Sequence, residues 1–197
     1  MVFRNVNLDL VLKKKSVLLL GPRSTGKSYY IRHQLKDIHN VDLLNSANFL
    51  LLSANPSALE EIVNAHPKKI ISIDEIQKIP ALLDEVHRLI EEKSVRFLMT
   101  GSSARRLRAD GVNLLAGRAW LARMCPLNYF ELSQSDNRVP LKTVLKFGTL
   151  PQVWLSKDPL EELDNYIRTY IEAEIKAEGI IRKIPAFSRF LKAASLS

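Results

Sequence analysis

The sequence is poor in the residues that mark secreted and membrane-spanning proteins. Its 197 residues include a single cysteine, Cys125, which excludes an internal disulfide and a cysteine-rich zinc site. No apolar run approaches the roughly 20 residues of a membrane-spanning helix, and the N-terminus lacks the apolar core of a secretory signal. We therefore expect a protein of the reducing cytoplasm with no membrane partner. Cys125 follows an apolar segment, which favours a buried and unreactive thiol.

Glycine and acidic residues are also in short supply. With seven glycines in the chain, each is expected to serve a particular backbone geometry. Lys and Arg number 29 against 21 for Asp and Glu, a net charge of +8. This excess permits nucleotides or nucleic acids as partners without choosing between them. Residues 101–125 contain five arginines, no lysine and one acid, a composition that suits either phosphate contacts or surface ion pairs.

The hydrophobic pattern predicts an α/β fold. Continuous apolar runs at Ser16–Leu20, Lys69–Asp74 and Val95–Thr100 are typical of buried parallel strands, and helical periodicity fills the intervals between them. A further strand is predicted at His39–Leu44, and alternating apolar residues predict a half-buried strand over residues 6–12. Strands that alternate with helices indicate βαβ units and a mostly parallel sheet.

The C-terminal third differs from the rest of the sequence in its proline spacing. Prolines divide it into short helices, so we expect a core domain over residues 1–128 and a small helical extension over residues 129–197. Asp158-Pro159 and Gly179 are typical helix boundaries and predict one helix of roughly 20 residues between them. Trp120 and Trp154 are expected to anchor hydrophobic cores.

One segment carries a specific chemical signature. Residues 21–28 fit the phosphate-loop pattern G-x-x-x-x-G-K-[ST], with a predicted buried strand before it and a helix after it. In such a loop, backbone N–H groups and the helix N-terminus converge on phosphate, the lysine reaches the β- and γ-phosphates, and the hydroxyl at the last position binds Mg²⁺. The predicted nucleotide-binding positions are Gly21, Pro22, Arg23, Ser24, Thr25, Gly26, Lys27, Ser28 and, with packing as the alternative role, Tyr29.

Two acids end the strand at Lys69–Asp74. The carboxyl edge of a parallel sheet would place them beside the phosphate loop. Asp74 is predicted to hold Mg²⁺ together with Ser28, and Glu75 to activate the attacking water. Gln77 follows as a candidate sensor of nucleotide state.

Small hydroxyl residues end the next strand. Thr100 or Ser102 is predicted to hydrogen-bond the attacking water or the γ-phosphate, and a plain turn or helix cap is the alternative. Both residues therefore remain candidates for a catalytic role.

Taken together, these motifs resemble a known family. The segments GPRSTGKS, IISIDEIQKIP, RFLMTGSSARRLR, LLAGRAWLARMCPLNYFEL and FGTLPQVW are similar to those of the bacterial and archaeal AAA-like ATPases that are usually fused to a C-terminal domain of unknown function. The resemblance continues into residues 166–175 and covers nearly the whole chain. It implies a three-layer P-loop fold of the additional-strand class, in which the Thr100 strand separates the other two, with ATP and Mg²⁺ as ligands and Glu75 as the catalytic carboxylate.

The resemblance also implies a role for Arg118 and a missing partner. Arg118 matches the arginine of the family's "LAGR" stretch and is the candidate to reach the γ-phosphate, including that of a neighbouring subunit, with a structural ion pair as the alternative. Family members continue into a domain with nuclease-like affinities, and this sequence ends near its start. We therefore expect either self-association or a missing C-terminal partner domain.

Several functions remain open at this point. The first is hydrolysis of ATP to ADP and phosphate with weak basal turnover. The alternatives are a nucleotide-gated interaction module with negligible turnover, a nucleic-acid-dependent ATPase and a small-molecule kinase. The Asp74-Glu75 pair favours water over a kinase substrate as the acceptor, and the sequence contains no recognised nucleic-acid-binding motif.

Overall fold

The computed structural model describes residues 4–67, 70–102, 115, 117–134, 139–170 and 184–194. The chain divides into two compact units, Met1–Val139 and Pro140–Ser197. The described residues of the first unit form five strands: β1 (Ser16–Leu20), β2 (Ile38–Asp42), β3 (Ile70–Asp74), β4 (Phe97–Gly101) and β5 (Ala119–Arg123). Its described helices are α1 (Asp9–Leu12), α2 (Lys27–Gln34), α3 (Ser46–Ala54), α4 (Ala58–Ala65), α5 (Leu82–Lys93) and α6 (Tyr129–Ser133).

The five strands form one sheet in the order β2-β3-β4-β1-β5, and all four neighbouring pairs are parallel. The carboxyl ends of all five strands therefore lie at the same edge. Strand β4 separates β1, which precedes the phosphate loop, from β3, which ends in the two acids. The predicted strand arrangement of the P-loop fold is confirmed.

Buried side chains cover both faces of this sheet, because successive residues of a strand point to opposite sides. Leu18 and Leu20 of β1 pack with the apolar sides of α3, α4 and α5. Val17 and Leu19 pack instead with residues of α1 and α2. Two cores on opposite faces make a three-layer α/β/α unit, as predicted.

The N-terminal segment differs from the prediction. Residues 6–12 were expected to form a strand, but residues 9–12 form the helical turn α1. Leu8 and Leu12 are buried and four residues apart, whereas Leu10 is 65% exposed. A helical period of apolar residues thus prevails over the alternating pattern, because the segment packs on α2 rather than pairing with a strand. The Leu8 N–H donates to Tyr30 Oη at 3.1 Å, and burial raises the pKa of that phenol.

Two further expectations fail at the outer side of β5. Trp120 was expected in a core, but its side chain is 56% exposed. Cys125 was expected to be buried, and it is exposed. Among the described strands, β5 lies at the edge of the sheet, with β1 as its one neighbour. Apolar residues on an edge strand are less covered than those of a central strand, which explains the exposure of Trp120. Cys125 lies beyond the end of this strand.

The second unit consists of short helices: α7 (Leu141–Phe147), α8 (Pro151–Trp154), α9 (Pro159–Thr169) and α10 (Ile184–Ala194). Asp158 caps α9, since its Oδ1 accepts from the Glu161 N–H at 3.1 Å. The predicted end of this helix at Gly179 lies outside the described residues. The two units divide after Val139, whereas the sequence places the boundary after residue 128. Within the described ranges, no helix is both long and apolar enough to cross a membrane.

Candidate nucleotide-binding site

The phosphate loop joins the end of β1 to the start of α2, and two of its positions require glycine. A Cβ at Gly21 would lie 2.1 Å from the Met124 carbonyl oxygen, so the loop leaves the sheet in backbone contact with the end of β5. Gly26 has a φ of 90°, a conformation that side chains disfavour. Ser24 also has a positive φ, of 61°. Non-glycine residues in this region are strained, and such strain concentrates at binding sites.

Two side chains of the loop donate hydrogen bonds to backbone carbonyl oxygens of the same loop. Lys27 is buried, and its Nζ donates to the carbonyl oxygens of Gly21 at 2.6 Å and Pro22 at 2.9 Å. Thr25 Oγ1 donates to the same Pro22 oxygen at 2.8 Å. The ammonium group is thus positioned at the mouth of the loop, where a phosphate oxygen can replace the carbonyl acceptors.

The buried carboxylate of Asp74 lies at the end of β3. Its Oδ1 accepts a short hydrogen bond from Thr100 Oγ1 at the end of β4, and the Glu75 N–H donates to the same hydroxyl at 3.2 Å. Asp74 Oδ2 is buried and has no hydrogen-bond partner in the part of the chain that the structure describes. An unpaired carboxylate oxygen in a buried place is costly. A hard cation such as Mg²⁺ would satisfy it, so the residues present fit this ion.

Glu75 follows Asp74 with a φ of 64°, in the left-handed region. Its Oε2 accepts a short hydrogen bond from Gln77 Nε2. Gln77 in turn packs close to Gly101, where an added Cβ would lie 2.8 Å from Gln77 Oε1. The strained backbone and the neighbouring amide together set the direction of the Glu75 carboxylate.

Part of the phosphate loop lines one open cavity together with Glu75. Its volume is about 340 Å³, a size that suits a small-molecule ligand. It is lined by Arg23, Ser24, Gly26, Lys27, Ser28, Tyr29, Leu44 and Glu75. The structure therefore brings the predicted phosphate loop and Glu75 to a common space. Leu44 was not identified as a site residue from the sequence. Its position just after β2, at the carboxyl edge of the sheet, could have predicted it.

Not all predicted site residues face this cavity. Thr100 is fully buried and contacts the Asp74 carboxylate rather than the cavity. Ser102 Oγ is buried and has no hydrogen-bond partner among the described residues. The structure thus separates the two hydroxyl candidates: Thr100 belongs to the carboxylate cluster, whereas Ser102 is one residue beyond the end of β4.

Arg118 lies far from the phosphate loop of its own chain. It directly precedes β5, whose first residue pairs with Ser16 at the start of β1, and the five residues of β1 span roughly 16 Å. Arg118 Nε forms an ion pair with Glu91 Oε1 at 2.5 Å, and this hydrogen bond lowers the pKa of the Glu91 carboxyl. The ion-pair alternative is therefore what the structure contains. The arginines at 105, 106 and 108 lie outside the described residues.

The comparisons with known proteins agree with this geometry. Residues 13–133 match the sequence pattern of an AAA domain. The chain belongs to the AAA domain family. No curated protein matches it significantly.

The fold also resembles that of a solved protein. The Aeropyrum pernix ORC1 protein, solved in complex with DNA, shares 14% identity and aligns with a TM-score of 0.50 over 86% of this chain. This chain spans 59% of that protein's length. The likeness is one of fold, and together with the family it makes the chain an AAA-type P-loop ATPase in architecture.

Proposed function

We propose that this chain binds ATP with Mg²⁺ and hydrolyses it to ADP and phosphate. The observation that carries the proposal is the common cavity, which is lined by Glu75 and by Lys27 and Ser28 of the phosphate loop. A phosphate loop alone binds nucleotide. A carboxylate that lines the same cavity from outside the loop adds a group able to accept a proton from water.

The phosphate contacts follow from the loop. Lys27 exchanges its two carbonyl partners for oxygens of the β- and γ-phosphates, while backbone N–H groups at the start of α2 bind the same anion. Ser28 and Asp74 are the residues that would hold Mg²⁺. The bound ion would neutralise charge that develops on the phosphate oxygens. Tyr29 lines the cavity next to the loop and is available to the rest of the nucleotide.

Glu75 is the proposed catalytic base. Its carboxylate orients the attacking water and accepts its proton, and Gln77 holds that carboxylate in place when no water is engaged. Thr100 serves as a positioning residue, because its hydroxyl joins Asp74 to the Glu75 backbone. Arg118 is proposed to act on the nucleotide of a neighbouring subunit.

The test is steady-state phosphate release from Mg-ATP by the wild type, Glu75→Gln and, as a matched control on the exposed side of α4, Glu61→Gln. We expect Glu75→Gln to lower turnover by about 100-fold or more without loss of ATP binding, and Glu61→Gln to leave it unchanged. Lys27→Ala should abolish binding. Equal turnover in Glu75→Gln and the wild type would contradict the assignment of the base.

Two further outcomes separate the alternatives. ATP binding without turnover in the wild type would favour a nucleotide-gated interaction module. A rate per chain that rises with protein concentration, and does so less in Arg118→Ala, would indicate an arginine supplied by a neighbouring subunit. The concentration series therefore tests self-association in the same experiment.

A nucleic-acid-dependent form of the same activity is the second candidate. The net charge of +8 favours it. We expect duplex DNA at low salt to bind and to raise phosphate release, with both effects lost above moderate salt. If Arg105→Ala/Arg106→Ala binds duplex DNA at low salt as tightly as the wild type does, those two arginines do not contact the DNA.

A further inference from the structure

Arg4 is a buried arginine outside the cavity that nevertheless holds the phosphate loop. Its side chain is 5% exposed. The guanidinium donates from Nη1 to the Thr25 carbonyl oxygen at 2.7 Å and from Nη2 to the Cys125 carbonyl oxygen at 2.6 Å. Thr25 belongs to the phosphate loop, and Cys125 follows β5. One planar group therefore joins the loop to the end of the neighbouring strand.

Glu131, in α6, completes this cluster. Its Oε1 accepts from Arg4 Nε at 3.0 Å and from the Asn5 N–H at 2.7 Å. Its Oε2 accepts from the Asn128 N–H at 2.9 Å, which makes it part of the cap of α6. The carboxylate is 2% exposed, so it balances the buried positive charge of Arg4 at close range.

The contact with Thr25 has a direct effect on the phosphate-binding backbone. The Thr25 carbonyl and the Gly26 N–H belong to one trans peptide group, in which they point in opposite directions. A donor that fixes the carbonyl also fixes the N–H on the other side of the peptide. Gly26 has the positive φ and lines the cavity. The orientation of this peptide is therefore set from behind the loop.

The chemistry of arginine suits this task better than that of lysine. Its planar group presents several N–H donors in fixed directions, so three acceptors on three different segments can be held at once. A lysine could retain the charge opposite Glu131, but as a single flexible point it does not impose the same geometry.

We propose that Arg4 and Glu131 are positioning residues that hold the phosphate loop in its binding conformation before a nucleotide arrives. The inference rests on the proposed nucleotide site, since it concerns the loop of that site. It adds that the N-terminal segment and α6, which do not line the cavity, determine how well the loop binds phosphate. The two residues act through the Thr25–Gly26 peptide rather than by touching the ligand.

The test compares two full-length variants with a matched control. Arg4→Lys keeps the positive charge opposite Glu131 and so avoids a buried unpaired carboxylate. Arg4→Met/Glu131→Gln removes both charges together and keeps an oxygen acceptor at position 131. Arg88→Met is the control, because Arg88 of α5 also bonds three acceptors, all of them carboxylates, at a partly exposed place away from the loop.

The first readout is amide hydrogen exchange of the nucleotide-free proteins. We expect residues 21–28 to exchange about ten-fold faster or more in both Arg4 variants, with β3 and β4 unchanged and Arg88→Met like the wild type throughout. Unchanged exchange in the loop, or acceleration spread evenly over the sheet, would overturn the proposal. This readout needs no nucleotide.

The second readout is equilibrium binding of Mg-ATP and of inorganic tripolyphosphate, a probe of the phosphate contacts alone. We expect the Arg4 variants to lose about 10- to 100-fold in affinity for both. Loop exchange that rises without any loss of affinity would overturn the link to phosphate binding. If the wild type binds neither ligand, the proposed function fails, and hydrogen exchange alone decides whether Arg4 and Glu131 order the loop.

Discussion

The carboxyl edge of the sheet and the outer face of α5 differ in how their polar groups are paired. At the carboxyl edge, Glu75 has a left-handed backbone, and Asp74 Oδ2 and Ser102 Oγ are buried without a hydrogen-bond partner among the described residues. On the outer face of α5, Arg88 pairs with Glu85 and Glu92 of the same helix and with Glu60 of α4, in a partly exposed cluster.

The two regions differ in what is left for a ligand to satisfy. Arg88 and its three carboxylates satisfy one another through ion pairs. At the carboxyl edge, strained and unpaired groups are held in place by a well-packed sheet, and a ligand that satisfied them would gain binding free energy. Substitutions at the two places should therefore differ in kind as well as in size.

The largest effect is expected for Gly21→Ala. The added Cβ would lie 2.1 Å from the Met124 backbone oxygen, so β5 must shift away from the loop. We expect the free energy of unfolding to fall by about 3 kcal/mol, measured by urea denaturation. Gly117→Ala is the control, since its φ is 78° but no atom of the described residues lies within 4 Å of an added Cβ, and it should cost about 1 kcal/mol. Equal losses would show that the close approach is not the cause.

An intermediate effect, with the opposite sign, is expected where strain can be removed. Glu75 (φ 64°) and Ser94 (φ 53°) both have left-handed backbones, but Ser94 merely ends α5. Glycine at either position should raise the free energy of unfolding by about 0.5–1 kcal/mol. Glu75→Gly should also abolish ATP turnover, whereas Ser94→Gly should leave it intact.

Thermal unfolding measures the stability of Glu75→Gly and Ser94→Gly, and phosphate release from Mg-ATP by the same preparations measures their turnover. The comparison between the two regions breaks down if Glu75→Gly destabilises the protein, because its backbone would then not be a site of stored strain. It also breaks down if Ser94→Gly loses turnover.

The smallest effect is expected for Arg88→Met on the surface of α5. Hydrogen bonds from Lys93 and Arg88 lower the pKa of Glu60 below its ordinary value of 4.5. The pairing therefore stabilises the fold above about pH 4.5 and is lost as the pH falls through the lowered pKa. Arg88→Met should flatten the acid side of the stability profile without changing turnover. Urea midpoints between pH 3 and 7, with and without 1 M NaCl, measure this change, and a profile of unchanged slope would contradict it.

Much of the core unit follows from the sequence, because its signals are local. The buried strands, the phosphate loop and the two acids each lie within a single short segment whose apolar run or spacing is visible by itself. Parallel strands then place their carboxyl ends together, which brings Lys27 and Glu75 to one cavity as expected. The family match over residues 13–133 supports the same conclusion.

The parts that could not be predicted depend on contacts between distant segments. Arg4 and Glu131 are 127 residues apart, and neither has a local pattern that marks it as a member of a buried pair. Residues 6–12 fit a strand equally well until packing on α2 selects the helix. Trp120 is apolar in a strand, yet the strand turns out to lie at the edge. Arg118 matched a family motif, but the register of β5 places it at the opposite edge from its own phosphate loop.

The position of Lys27 affects how one familiar substitution should be interpreted. In the structure its ammonium group bridges the carbonyl oxygens of Gly21 and Pro22. Phosphate binding at the proposed site would therefore be an exchange in which the ligand displaces two internal acceptors. Replacing Lys27 would remove the proposed contact to the ligand and also the crosslink within the loop. The affinity lost in Lys27→Ala is consequently a sum of two quantities, and tripolyphosphate binding alongside hydrogen exchange of the unliganded variant separates them.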